Sequence, residues 1–285
     1  MNKFKNIVQW LLIIIGTIMV AIFLRVFIFA TFSIPTPSME PAIIPGDHVV
    51  VSKLTPGPRI ISNFFSMEKE DKPIFERIDG FNVKRNDILI FNYPYSDWSK
   101  IEIDLSVFYA KRCVAIPGDT FYIENAIYKV KNCSDTLGNY ENQYRFSQIP
   151  DENIEPAIFN SFPFDGQYNW SAKNFGPIYL PRKNDSLEIS QSNITLYRNL
   201  ICYETGKEVD VKENAVLLGD SIIHCYKFTR NYYFMAGDYV FDSKDSRYWG
   251  LLPEDHIVGK VAFVWSSIDK NTDERRWERF LKKVK

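Results

Sequence analysis

A mainly β protein, built of antiparallel sheets behind a single N-terminal transmembrane α-helix, is the architecture that three observations in this sequence predict. The first is an uncharged apolar run, "IVQWLLIIIGTIMVAIFL", from Ile7 to Leu24. The second is the recurrence of short Val-, Ile-, Tyr- and Phe-rich runs between Gly-Asp, Pro-Gly and Asn turns, a spacing of strands. The third is an aromatic content of 15%, with 22 Phe and 16 Tyr, residue types that suit a pleated, half-buried surface. Between the apolar run and the tail, no long stretch shows the 3.6-residue apolar period of a helix. A chain of 285 residues suffices for one large domain or two smaller ones.

As a helix, the Ile7–Leu24 run is about 27 Å long, enough to cross a hydrocarbon core. Arg25 follows and can snorkel to the interface, while "VFIFATF" continues apolar. We assign residues 7–30 to a retained anchor, because the run is too long for a cleaved signal peptide and no A-x-A follows it. Lys3 and Lys5 precede the span, and nothing basic occurs between Arg25 and Lys53. Residues 1–6 are therefore expected in the cytoplasm and the remainder outside, a single-pass protein of the inner or plasma membrane.

The elements then follow in order. "GDHVVVSKL" (46–54) alternates and reads as a strand, whereas the polar, Pro/Gly-marked residues 55–86 suit an exposed excursion. "DILIFNYP" (87–94) and "VFYAKRCVAIPGD" (107–119) are further strands, and "TFYIENAIYKV" (120–130) a hairpin about Glu124-Asn125. Residues 131–230 turn to Asn, Tyr, Ser and short apolar runs, and read as an inserted second β-rich region. Residues 31–130 and 231–270 form one β domain around it, since aromatic strands and Gly-Asp turns return after 230. The tail 271–285, with "DERRWERFLKKVK", reads as a basic amphipathic helix, either lying on anionic lipid or packed on its own domain.

Composition excludes several classes. A net charge of −1 carries no nucleic-acid signature. Cys113, Cys133, Cys202 and Cys225 show no C-x-x-C spacing, and their pairing is not readable from sequence. His48, His224 and His256 are not spaced as metal ligands, so no cofactor or metal is expected.

"SIPTPSMEPAI" (33–43) supplies the first chemical candidate. Pro35 and Pro37 fix φ on either side and restrain their predecessors, so Ser38 sits on a stiff support suited to a nucleophile. Thr36 either turns its hydroxyl towards a reacting carbonyl or closes the turn; its spacing supports both. A serine needs a base, and the histidines lie in structural settings. A lysine with a free-solution pKa of roughly 10.4 serves only if desolvation lowers it by about two to four units. Lys111 fits, on a strand among apolar neighbours and facing the same way as Tyr109 and Cys113. Arg112 faces the other way with Ala110 and suits an ion pair. "SMEK" (66–69) matches an S-x-x-K pattern, but it lies in the polar excursion without S-D-N or K-T-G, and we reject it.

Four segments in order, "IPTPSMEPAI", "GDHVVVSK", "KRCVAIPGD" and "MAGDYVFDSKDSRYWG", resemble the boxes of bacterial type I signal peptidases. The resemblance covers the anchor and about 31–54, 107–123 and 232–265. It implies a membrane-anchored Ser-Lys endopeptidase that cuts signal peptides from secreted precursors after small residues, through an acyl-enzyme. Ser38 matches the nucleophile, Lys111 the general base, and Thr36 with the Ser38 N–H the oxyanion hole. Ser243 matches the hydroxyl that orients the lysine. Asp245 and Arg247 match a structural ion pair, and Asp238 a partner for Arg112. Phe32, Ile34, Pro35, Tyr109 and Ala110 match the linings of shallow substrate pockets. The implied partners are signal-peptide-bearing precursors and the bilayer. One departure stands out: Tyr239-Val240 replaces the usual Asn-Arg. An inactive, membrane-anchored peptide-binding relative is the alternative that this departure favours.

Overall fold

The computed structural model describes residues 2–61, 75–78, 82–97, 100–212 and 215–284; the "SMEK" stretch lies outside them. The first helix, α1 (Asn2–Phe23), passes through a π-helical turn at Leu24–Ile28 directly into β1 (Phe29–Ser33). Residues Asn6–Ile28 are long and apolar enough to cross a membrane, and none is buried against the rest of the chain. A helix apolar on every side and covered by no protein matches a lipid surround. Its far end is tied down by Lys53, whose ammonium donates to the carbonyl oxygens of Arg25 and Val26 at 2.9 and 3.0 Å. Those carbonyls are among the acceptors that a helix end leaves open.

Ten further strands matter to the site: β2 (Asp47–Ser52), β3 (Ile88–Asn92), β4 (Phe108–Ala115), β5 (Thr120–Glu124), β6 (Ile127–Val130), β7 (Phe175–Tyr179), β8 (Tyr232–Ala236), β9 (Leu252–Pro253), β10 (Ile257–Ser267) and β11 (Lys282–Lys283). They build a mainly antiparallel β fold, as expected. The largest sheet runs β1-β2-β10-β3-β4-β8-β9, with β11 on β10. A smaller sheet runs β6-β5-β7. The β5–β6 hairpin turns at Asn125-Ala126, whose φ angles of 46° and 66° are those of a left-handed turn.

Period-2 alternation divides the core. On β3, Ile88 and Ile90 join a smaller apolar cluster with Ile34, Met39, Ile43, Val49 and Val51. Leu89 and Phe91 point the other way into a larger cluster with Cys113, Phe121, Phe175, Phe234 and Trp249. β3 and β8 are buried at every residue, so β4 between them is a central strand. The four cysteines are free thiols.

Residues 131–230 hold helices that the sequence pattern did not reveal. α2 (Tyr140–Ser147) has few apolar residues, yet Asn139 caps it and its Gln143 is fully buried. That amide is satisfied by the Tyr128 N–H at 2.9 Å and the Leu137 carbonyl at 2.6 Å. α3 (Ile194–Thr205) buries Ile194, Tyr197, Leu200 and Ile201 and ends on left-handed Gly206. β7 brings Phe175 and Ile178 from this region into the larger core.

The tail corrects an expectation. Instead of an amphipathic helix, it makes a short 3₁₀ turn at Trp277–Arg279 and then adds β11 to the sheet. Arg279 is the reason: its Nε and Nη2 donate to the Asp47 carboxylate at 2.8 and 2.5 Å, both side chains being buried. Such a bidentate, charge-assisted pair outweighs the few tenths of a kcal/mol per residue that helix propensity offers. Leu281 then takes a φ of 55°, which no continuing helix allows.

Candidate active site

After β1 the chain leaves the sheet in a loop closed at its base. The Ile34 N–H donates to the Asp47 carbonyl at 2.8 Å and the Gly46 N–H to that of Ile34 at 3.0 Å. Inside the loop, Glu40 N–H bonds the Pro37 carbonyl and Ile43 N–H bonds that of Met39, at 2.8 and 3.0 Å. Met39 and Ile43 plug into the smaller core at 1% and 0% exposure, so the residue beside Met39 is held by packing as well as by prolines. That residue is Ser38. Its carbonyl accepts from the Tyr239 N–H at 3.1 Å, which ties the loop to the segment after β8.

Lys111 approaches from the centre of β4, where it registers with Leu89. Its Nζ lies 2.5 Å from Ser38 Oγ, and both side chains are buried. Burial lowers the lysine pKa to about 8; the Asp245 carboxylate opposes this and the Arg247 guanidinium assists it. Desolvation wins because removing an ammonium from water costs more than a neighbouring carboxylate returns at that site. With such a pKa, roughly a tenth of the lysines are neutral at pH 7, against well under a thousandth for a free one. Ser38 O–H can then donate to the free amine, the direction that nucleophilic attack requires.

Two buried ion pairs frame the dyad. Arg112 donates through Nε and Nη2 to the Asp238 carboxylate at 2.7 and 2.6 Å. Arg247 grips Asp245 through Nε and Nη2 at 2.9 Å each, both residues being inaccessible to solvent. Asp245 also accepts from the Gly237 N–H at 2.9 Å, which positions the segment against Ser38. A Cβ at Gly237 would stand 2.0 Å from Ser243 Oγ and 2.7 Å from the Ser38 carbonyl oxygen, so only glycine fits there.

Ser243 lies buried at this junction, but its hydroxyl makes no hydrogen bond among the described residues. The bond to Lys111 that the family resemblance implies is not formed in this arrangement; the lysine engages Ser38 instead. Thr36 stands exposed at the cavity mouth, and its hydroxyl closes no turn among the described residues. Tyr239-Val240 is absorbed by packing: Val240 is buried, and the Tyr239 ring lies 5.4 Å from that of Phe241.

A cavity of about 330 Å³ opens onto the dyad and includes Phe32, Ile34, Pro35, Tyr109 and Ala110 in its walls. Phe32 and Phe108, with rings 5.0 Å apart, flank it where β1 leaves the anchor. The histidines stand elsewhere. His256 is fully buried and its pKa falls to about 4 by desolvation, so it stays neutral in the core. One participant had no signal in the sequence. Asn142, on α2, donates to the carbonyl of Asp238 at 2.8 Å and reaches that of Glu40 at 3.4 Å, so this one amide clamps both loops of the site.

The family model described as signal peptidase, peptidase S26, matches residues 7–266. The chain belongs to this family. The signal peptidase I of Buchnera aphidicola subsp. Baizongia pistaciae is 28% identical over 282 residues, covering 96% of this chain and 81% of that protein. The signal peptidase I of Helicobacter pylori strain 26695 is 26% identical over 288 residues, covering 95% and 90%. That of Aquifex aeolicus is 26% identical over 274 residues, covering 92% and 84%. Family membership makes this signal peptidase a serine protease that acts on signal-peptide-bearing precursors. Its apolar N-terminal helix fits the membrane association of such an enzyme.

Proposed function

We propose that this signal peptidase cuts its precursors after small residues through a Ser38 nucleophile and a Lys111 general base. The observation that carries the reading is the 2.5 Å contact between two buried side chains, one a hydroxyl and the other an amine whose pKa burial lowers to about 8. Lys111 Nζ takes the Ser38 proton as Oγ bonds to the scissile carbonyl carbon. The oxyanion that forms is met by the Thr36 hydroxyl and the Ser38 N–H, which donates to no other acceptor among the described residues. Collapse breaks the C–N bond, and the proton on Lys111 passes to the leaving amine. Water, deprotonated by the same lysine, then hydrolyses the ester and frees Ser38.

In this reading Ser243 turns to the lysine once the Ser38 contact is broken, because its buried hydroxyl has a bond to gain. The Asp245–Arg247 and Arg112–Asp238 pairs fix the frame. Phe32, Ile34, Pro35, Tyr109 and Ala110 form walls that accept small side chains before the cut. Residues 31–130 and 231–270 act as the catalytic domain, with 131–230 as an insertion bracing it. Lys3 and Lys5 keep the N-terminus in the cytoplasm, and α1 holds the dyad at the outer face of the inner or plasma membrane. A precursor arrives with its apolar segment in that bilayer and its A-x-A site at the surface, where Ser38 waits.

The test is cleavage of a precursor peptide by the full chain in detergent micelles, with mass spectrometry locating the cut. Cleavage after the second alanine of A-x-A is expected, and Ala→Trp at that position should lower kcat/KM about 100-fold, since overpacking a rigid pocket costs a few kcal/mol. Equal cleavage of both peptides would refute the pocket assignment.

A further inference from the structure

The active-site cavity does not end at the dyad. Asp242 and Lys244, which line it, also line a second cavity of about 330 Å³. Its remaining walls are Ala157, Ile158, Phe164, Phe241, Ser243 and Tyr248. None of the β1 or β4 residues that flank the first cavity takes part in the second.

Phe164 is the unusual member. It is 60% exposed, an uncommon place for a phenylalanine, and its backbone sits at a φ of 57°. The left-handed region is disfavoured for a bulky residue and is held only where the surroundings impose it. Here they do: the Phe164 N–H donates to the Ser161 carbonyl at 2.9 Å, and the Phe162 N–H to the Arg247 carbonyl at 2.7 Å. On the same wall the Tyr248 hydroxyl donates to the Ile158 carbonyl at 2.8 Å. Phe241 is braced from behind by Phe146 of α2, with rings 5.6 Å apart. The cavity is thus preformed and fastened to the segment that carries Asp245 and Arg247.

We propose that this second cavity is a subsite for an apolar side chain among the first residues of the mature protein, just after the cut, and that Phe164 sets its preference. The proposal rests on the dyad reading above and goes beyond it. The side of the cut follows from the first cavity. With Phe32, Ile34 and Ala110 taken as walls for side chains before the cut, as proposed above, the segment after the cut is assigned to Asp242 and Lys244, the lining that the first cavity shares with the second. The ligand chemistry follows from the walls, which are aliphatic and aromatic apart from the Asp242–Lys244 rim.

The test uses the full chain in detergent micelles and three fluorogenic peptides with one A-x-A segment. The first is extended after the cut by Ala-Leu-Phe-Leu, and the second by Ala-Gly-Ser-Gly. The third carries Leu-Phe-Leu before the A-x-A instead. The apolar extension should raise kcat/KM about tenfold over the Gly-Ser peptide. Phe164→Ala should reduce that advantage below twofold while leaving the Gly-Ser peptide unchanged. Equal cleavage of the first two peptides by the native protein, or an advantage that survives Phe164→Ala, overturns the subsite. Dependence on Phe164 for the third peptide alone overturns its assignment to the leaving side. Cleavage of the Gly-Ser peptide reports on the dyad separately. Should no peptide be cut, the dyad reading falls, and fluorescence anisotropy of the bound peptides reads the same preference by the same criteria.

Discussion

Lys111→Ala is expected to lower kcat/KM by about 10⁴-fold while the protein remains folded. General-base catalysis alone is worth about 10²–10⁴, and a nucleophile without its base loses more still. Ser38→Ala should cost as much, and the double variant no more than either single one, because the two side chains work as a unit. The native enzyme should gain activity tenfold per pH unit up to a midpoint near 8, where the lysine loses its proton. The direction follows from the neutral amine being the active form. The same shift makes stability rise with pH. The folded-state pKa lies below the unfolded value of 10.5, so between about 8 and 10.5 the unfolded chain binds more protons. Across that window Lys111 alone contributes about 3 kcal/mol, which the buried Cys113 thiol, pushed up by desolvation, opposes from about pH 9. Activity of Lys111→Ala within tenfold of native, at matched circular dichroism, would remove the lysine from the chemistry.

Asp245→Ala carries the largest expected loss of stability, about 3–5 kcal/mol, read as an earlier midpoint in denaturant unfolding of the full chain in micelles. The reason is the asymmetry of buried pairs: truncating one partner leaves Arg247 charged and out of water, with nothing to replace two bonds at 2.9 Å. The Gly237 N–H loses its acceptor as well, and Gly237 is packed against the Ser38 carbonyl. Activity should therefore fall before unfolding. Replacing both residues with apolar ones of similar volume should cost far less than the single change. A single variant with native stability would mean that water or another group rescues Arg247.

The sequence marked Ser38 and Lys111 as candidates for physical reasons. Two prolines around a serine announce a stiff mount, and a lysine inside an apolar strand announces desolvation. The contact between positions 38 and 111 was not legible from spacing alone; the family resemblance supplied it. β2 was visible through its alternation and Val content, and β3 as a short apolar run. α2 and α3 were not, because α2 is mostly polar and is fixed by a cap and a buried glutamine, both of which depend on tertiary partners. The tail misled for the opposite reason. Its apolar residues do recur at helical spacing, but one arginine finds a buried carboxylate 232 positions away in the chain. Asn142 illustrates the same limit, since only folding brings its amide to Asp238.

The most direct measurement is titration of Lys111 itself, by NMR of the εCH₂ group in lysine-labelled protein, with Lys111→Arg to assign the signal. A midpoint near 8 is expected, more than two units below that of a solvated lysine. A midpoint that stays near 10.5 would contradict a neutral amine beside Ser38 and, with it, the catalytic role given to the dyad.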